Sequence, residues 1–151
     1  MRVVLDTNIV VSGLLWDGRP RQLLEYGRDR LIKLLTSSEL LDELFEVLGR
    51  EKFTTMLVSQ GITRSYLLQR YGALTEIVKP KPLERTVRDV DDDVVIATAL
   101  AAQADLIVSG DNDLLTLHPW QGIQILNAAD ALHHIQSRTE WRVHEPGPSI
   151  Y

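Results

Sequence analysis

Residues 89–115 read DVDDDVVIATALAAQADLIVSGDNDLL, and the order of acid, apolar helix pattern and apolar strand in this stretch decides the fold. Four aspartates, Asp89, Asp91, Asp92 and Asp93, occupy five positions and run straight into an apolar segment. The spacing predicts a helix from about Asp91 to Gln103, a buried strand in DLIVSG and a short helix in DNDLLTLH. A strand IQIL and a helix NAADALHHI capped by Asn127 follow. Strand and helix alternating over short connections predict an α/β fold of three layers, α/β/α, around a central, mostly parallel sheet. Ligands of such sheets bind beyond the C-terminal ends of the strands.

Crowded aspartates need a reason. Two unit charges about 4 Å apart repel by about 4 kcal/mol at an effective dielectric of about 20. Helix capping and the helix dipole account for one or two of the four. The others are either solvated or hold a cation.

Working outward, RVVL at 2–5 is a short β-branched strand, closed by DTN as a polar loop. PRQLLEYGRD predicts a helix with Pro20 at its first position, and RLIKLLTS a second strand. TSSELLDELFEVLGR carries a capping box of Thr36 and Glu39 and a stop at Gly49. EKFTTMLVSQG and TRSYLLQRYGALTEIV are helical stretches separated by Gly61, the second running into a strand near EIVKP. KPKP at 79–82 marks a turn. No internal repeat or low-complexity segment breaks the pattern. Residues 1–135 form one expected domain, and 136–151, with two prolines, a glycine and Trp141, a C-terminal extension.

At 151 residues the chain buries a core without staples, and with no cysteine it has no disulfide, no thiolate catalysis and no Cys-based metal site. Only Val3, Val4 and Leu5 precede the first acid, which is too short for a signal-peptide core. No apolar run reaches the roughly 20 residues needed to span a bilayer, so a cytoplasmic location is expected. The net charge of −5 argues against nucleic acid if taken alone. The charge is uneven, however: Asp89 to Asp113 holds seven acids and no Lys or Arg, whereas residues 1–75 hold ten basic residues against nine acids.

Asp6 ends the first apolar run and Asp111 stands just beyond DLIVS, so both belong at strand C-terminal ends of one sheet edge. Asp93 falls in the first turn of the helix leading into DLIVS. Along the 38–48 helix, Leu40, Leu41, Leu44, Val47 and Leu48 make an apolar stripe, with Glu43 on its border. Oxygen ligands from distant segments, without His or Cys, suit a hard cation such as Mg²⁺ or Mn²⁺. A cation held in this way points to phosphodiester hydrolysis.

Three blocks, VVLDTNIVVSGLL, SSELLDELFEVLGREKF and DVDDDVVIATALAAQADLIVSGDNDLL, occur in order over residues 1 to about 133, and together they resemble a PIN domain. The resemblance implies a PIN-like fold and four catalytic, metal-binding acids: Asp6, Glu43, Asp93 and Asp111. Within DVDDD, Val90 stands where the family often has proline, so Asp92 or Asp89 can share the role of Asp93. Ser109 replaces the usual threonine and keeps a hydroxyl near the site. Asn8 and Asp113 are secondary candidates. The implied activity is a Mg²⁺- or Mn²⁺-dependent endoribonuclease, often a homodimeric toxin held inactive by an antitoxin.

RNA needs cations near the acids, and Arg19, Arg21, Arg28, Arg30, Lys33, Arg50 and Lys52 are the candidates. Trp16 and Trp120 are candidates for stacking on a base. His133 and His134 fall late on a helix, where positive charge is favoured, and His118 falls in a loop. A nucleophilic Asp followed two residues later by an acid, as in haloacid-dehalogenase-like phosphatases, is ruled against by Asn8. The remaining alternative is a catalytically silent PIN-like module that binds RNA or protein.

Overall fold

The structure is a computed structural model that describes residues 1–80 and 90–144, without the side chains of residues 90–93 and 139–144. The strands are β1 (Arg2–Leu5), β2 (Lys33–Thr36), β3 (Thr75–Ile77), β4 (Leu106–Val108) and β5 (Gln124–Leu126). The helices are α1 (Thr7–Leu15), α2 (Arg19–Arg28), α3 (Ser38–Leu48), α4 (Glu51–Gln60), α5 (Arg64–Leu74), α6 (Val90–Ala101), α7 (Asn112–Leu115) and α8 (Ala128–His144). The sheet has the order β3-β2-β1-β4-β5, and every pairing in it is parallel.

Alternation along the strands builds the three layers. On β1, Val3 and Leu5 face one core and Val4 the other; on β4, Leu106 and Val108 face the first and Ile107 the second. The first core is closed by α1, α2, α3, α4, α5 and α8, and the second by α6 with Leu114, Ile123 and Ile125. A strand buried on both faces must be apolar at consecutive positions, which is why RVVL and DLIV read as continuous runs.

Three local readings shift by a residue or more. DTN is not a loop, because α1 begins at Thr7 with Asp6 as its N-cap, so strand passes into helix with no connector. The cap of α3 is Ser37 rather than Thr36: its Oγ accepts the Leu40 N–H at 3.3 Å, while Thr36 completes β2. Pro20 is the second residue of α2, after Arg19. Gly61 ends α4 in the left-handed region at φ 68°, where a side chain would be strained.

Asn127 caps α8 as expected, its Oδ1 accepting the Asp130 N–H at 2.8 Å. The helix then runs unbroken across position 136 to His144, and Gln136 donates to the Tyr26 hydroxyl at 3.0 Å. His133 and His134 therefore lie in its first half rather than near its end. His118 is a structural acceptor, its Nδ1 receiving the Ile125 N–H at 2.9 Å, and Trp120 pairs with Ile123 beside the second core. Residues 81–89, including Asp89 and part of the KPKP turn, lie outside the described residues. Among the described residues no helix is long and apolar enough to cross a membrane.

Tyr71, on α5, is 2% exposed and its hydroxyl has no hydrogen-bond partner among the described residues. Burial pushes the phenol well above its ordinary value, so it stays neutral in the fold. A raised folded value means the unfolded chain loses this proton first. The contribution is full below the unfolded value of about 10 and is lost as pH rises beyond it. Tyr71→Phe removes an unpaired hydroxyl that costs about 1–3 kcal/mol to bury. It should leave the melting temperature unchanged or higher at neutral pH and flatten the alkaline fall, as read by thermal melts from pH 7 to 11.

Candidate active site

The strand order places a topological switch between β1 and β4. From β1 the chain builds β2 and β3 on one side, then crosses to build β4 and β5 on the other, so the connections leave the ends of β1 and β4 in opposite directions. Crevices of this kind are where open parallel sheets bind ligands. Asp6 follows β1 and the segment Ser109–Asp111 follows β4. Leu5 pairs with Val108, which sets these two ends side by side.

A chain of hydrogen bonds joins them. The Asp6 N–H donates to Val108 O at 2.9 Å, which continues the ladder one residue past the strand. Asp6 is 9% exposed; its Oδ1 accepts the Thr7 N–H at 2.8 Å and its Oδ2 accepts the Ser109 hydroxyl at 2.7 Å. Ser109, fully buried, accepts in turn from the Asp111 N–H at 3.0 Å. Asp111 is half-buried and caps α7, its Oδ1 receiving the Asp113 N–H at 2.8 Å. One hydroxyl thus ties the Asp6 carboxylate to the backbone of Asp111, 105 positions away. The α1 N-terminus beside Asp6 offsets part of its charge.

Helices α3 and α6 approach the same edge. Ser37, just past β2, and Thr98 on α6 share a buried hydrogen bond of 2.8 Å. One turn further on, just past the end of α6, Ala102 O accepts from Arg2 Nε at 2.6 Å, at the N-terminal edge of the sheet. The axis of α6 therefore runs from the N-terminal edge at its last turn past the C-terminal edge at Thr98. Its first turn, with Asp91, Asp92 and Asp93, continues beyond. The side chains of these three lie outside the described residues. Glu43 is half-buried in the middle of α3 and Asn8 is exposed in the first turn of α1. Among the described residues no three His, Asp or Glu side chains gather closely enough to form a metal cluster of their own. The structure joins Asp6, Ser109, Asp111 and the backbone of Asp113.

Thr7 is a polar group that the pattern LDTN did not single out. Its hydroxyl is buried beside Asp6 with no hydrogen-bond partner among the described residues. Such a group costs about 1–3 kcal/mol unless something pairs with it. No local sequence signal distinguishes it from an ordinary helix-start threonine.

The candidate cations divide. Lys33 pairs in register with Arg2 and bridges Glu76 at 2.6 Å, so it sits at the sheet edge opposite the acids, and this bridge holds the Glu76 carboxyl below its ordinary range. Arg28 and Arg30 belong to the chain reversal leading into Lys33, and Arg28 is held by Asp29 at 3.0 Å. Arg21 closes the end of α1, donating to Gly13 O, Leu14 O and Asp17. Arg19, Arg50 and Lys52 have no carboxylate partner among the described residues. An open groove of about 680 Å³ runs beside the acid-bearing edge, lined by Ile9, Gly18, Arg19, Gly110, Asn127 and Ala128 among others.

A family model described as PIN domain matches residues 2–113. A solved structure of VapBC2 from Rickettsia felis, bound to a DNA fragment from their promoter, has a similar fold: TM-score 0.59 at 17% identity, covering 84% of this chain and 98% of that one. Nothing among curated proteins matches.

Proposed function

The chain belongs to the PIN-domain family, and on that premise we propose that it is a metal-dependent endoribonuclease, the toxin of a toxin–antitoxin pair. The observation that carries the reading is the relay from the Asp111 N–H through Ser109 to Asp6, which ties a buried carboxylate to the backbone of a second acid at the switch point. Asp6, Glu43, Asp93 and Asp111 are assigned as the metal-binding, catalytic acids, with Asp92 able to share the part of Asp93.

The donors fit the ion. All are oxygens, and Mg²⁺ or Mn²⁺ commonly takes one or two carboxylates and keeps several waters, so a ready-made cage of protein ligands is not required. The orphaned Thr7 hydroxyl adds a further oxygen at the same helix start. When bound, the ion supplies Lewis-acid polarisation of the phosphate and a nucleophile at neutral pH. The chain's own residues do the rest. Thr7 N–H and Ser109 hold Asp6 in one orientation. Asp111 spends one oxygen on capping α7 and keeps the other for the site. Arg19 stands at the groove to meet RNA phosphates.

The likeness of fold to VapBC2 supports the toxin assignment and a cognate antitoxin as partner; a homodimer as the working form is proposed from the family resemblance. The test is incubation with a mixed-structure RNA panel in Mn²⁺, Mg²⁺ or EDTA, alongside thermal melts. Cleavage is expected in either metal and not in EDTA. Metal at a hundredfold excess over Kd should add about 2.7 kcal/mol of stability, several degrees in Tm. An unchanged Tm at millimolar metal together with no cleavage would overturn the reading.

A further inference from the structure

Trp16 ends α1 and is 47% exposed, an exposed tryptophan among the large apolar side chains that reach the surface. One side of it is fixed: its ring lies 6.2 Å from that of Phe53 at 57°, and Phe53 is only 7% exposed. Lys52 places its ammonium 4.9 Å from the Phe53 ring centre. Arg50 stands one turn before Phe53 at the start of α4, and Arg19 three residues after Trp16 at the start of α2. In a chain of net charge −5, these three cations lack a carboxylate partner among the described residues, while Arg21, Arg28 and Lys33 each hold one.

The open groove is lined by Gly110, between Ser109 and Asp111, and by Gly18 and Arg19, two and three residues beyond Trp16. Trp16 lies ten residues from Asp6, about 15 Å along α1. Trp16 lies beyond the groove's lining, two residues before Gly18, so a strand whose phosphate sits at the acids and whose backbone passes Arg19 needs only a few nucleotides to span the distance to it. Rigid aromatics flanked by cations are the recurrent means of holding single-stranded nucleic acid, because every base has a stacking face. A duplex offers no free face.

We infer that Trp16, backed by Phe53 and flanked by Arg19, Arg50 and Lys52, is the platform on which an unpaired base of the RNA stacks beside the acid-bearing edge. The inference rests on the nuclease reading for which strand occupies the groove. Its consequence is one base position at which stacking sets affinity, with little preference for which base occupies it.

The test uses the full chain and short fluorescein-labelled oligouridylates, some with one abasic position moved along the strand, plus a duplex RNA, with and without Mg²⁺. Trp16→Ala should weaken binding to the single strand about 5- to 150-fold. Trp16→Phe should restore most of it, and Arg19→Ala should reduce the salt slope by about 0.7. One abasic position should weaken wild type and leave Trp16→Ala indifferent, and duplex binding should not change. Equal affinities of wild type and Trp16→Ala, or no binding by wild type, overturn the proposal. So does a loss that Phe does not restore or that is as large on every abasic strand, which would assign Trp16 to holding α1 against α4. If binding depends on Trp16 but no condition yields cleavage, the nuclease reading fails alone. If metal-dependent cleavage persists in Trp16→Ala at unchanged KM, the platform fails alone.

Discussion

Asp6→Asn is expected to lower metal-dependent RNA cleavage by more than the roughly 10- to 100-fold that loss of an outer partner of a metal site costs. The fold should survive. An amide has nearly the shape of a carboxylate, its oxygen can accept the Thr7 N–H in place of Oδ1, and its nitrogen can donate to Ser109 in place of Oδ2 accepting. What disappears is charge at a site 9% exposed, where an anion is worth keeping only if a cation meets it. Two measurements separate that cause from general damage. Without metal, the variant should melt at or above the wild-type temperature, because one member of a like-charged group is gone. The rise of Tm on adding Mn²⁺ should shrink sharply. Full cleavage by the variant would remove Asp6 from the site.

Ser109→Ala should have the next largest effect, about 10- to 100-fold in activity or metal affinity. The hydroxyl is fully buried and makes two bonds at once, to Asp6 Oδ2 and from the Asp111 N–H, so its loss leaves an acceptor and a donor unpaired in one step. About 1–3 kcal/mol of stability should go with it. Ser109→Thr keeps the hydroxyl and adds a methyl group to a packed position, so activity should return to near wild type at some cost in Tm. Because Asp6 and Ser109 act together, the double variant should lose less than the product of the single losses. An Ala variant that cleaves normally but melts early would make Ser109 purely structural.

The placement of several candidate residues was legible because it obeys local rules. β-branched apolar runs that stop at an acid mark strand ends, and both Asp6 after RVVL and Asp111 after DLIV stand there. Helical periodicity likewise set Glu43 at the border of its apolar stripe, and it is half-buried. The role of Ser109 was only half visible: a hydroxyl near the site was expected, while its simultaneous bonding to Asp6 and Asp111 was not. Thr7 gave no signal, since a threonine after an N-cap is commonplace.

Cations were the least legible class. Seven basic residues looked equivalent along the first half of the chain, yet Lys33 lies at the opposite sheet edge and Arg21 is spent on the carbonyls closing α1. Lys33 is followed by a strand much as Arg2 is, and nothing in its neighbours says which edge it occupies. Only the parallel pairing of the two strands does, because it sets their first residues together.

The division has one physical basis. Periodicity, the kind and order of the elements and the α/β class are properties of consecutive residues, so the amino-acid sequence by itself determined them, with termini and caps placed only to within a residue or two, as Asp6, Pro20 and Ser37 show. Strand order, the adjacency of Leu5 and Val108, and the pairing of Asp6 with Ser109 across 103 positions depend on which distant segments bury one another. That choice is made by burial on both faces of a sheet set against the entropy of closing long loops, and only the tertiary structure decided it.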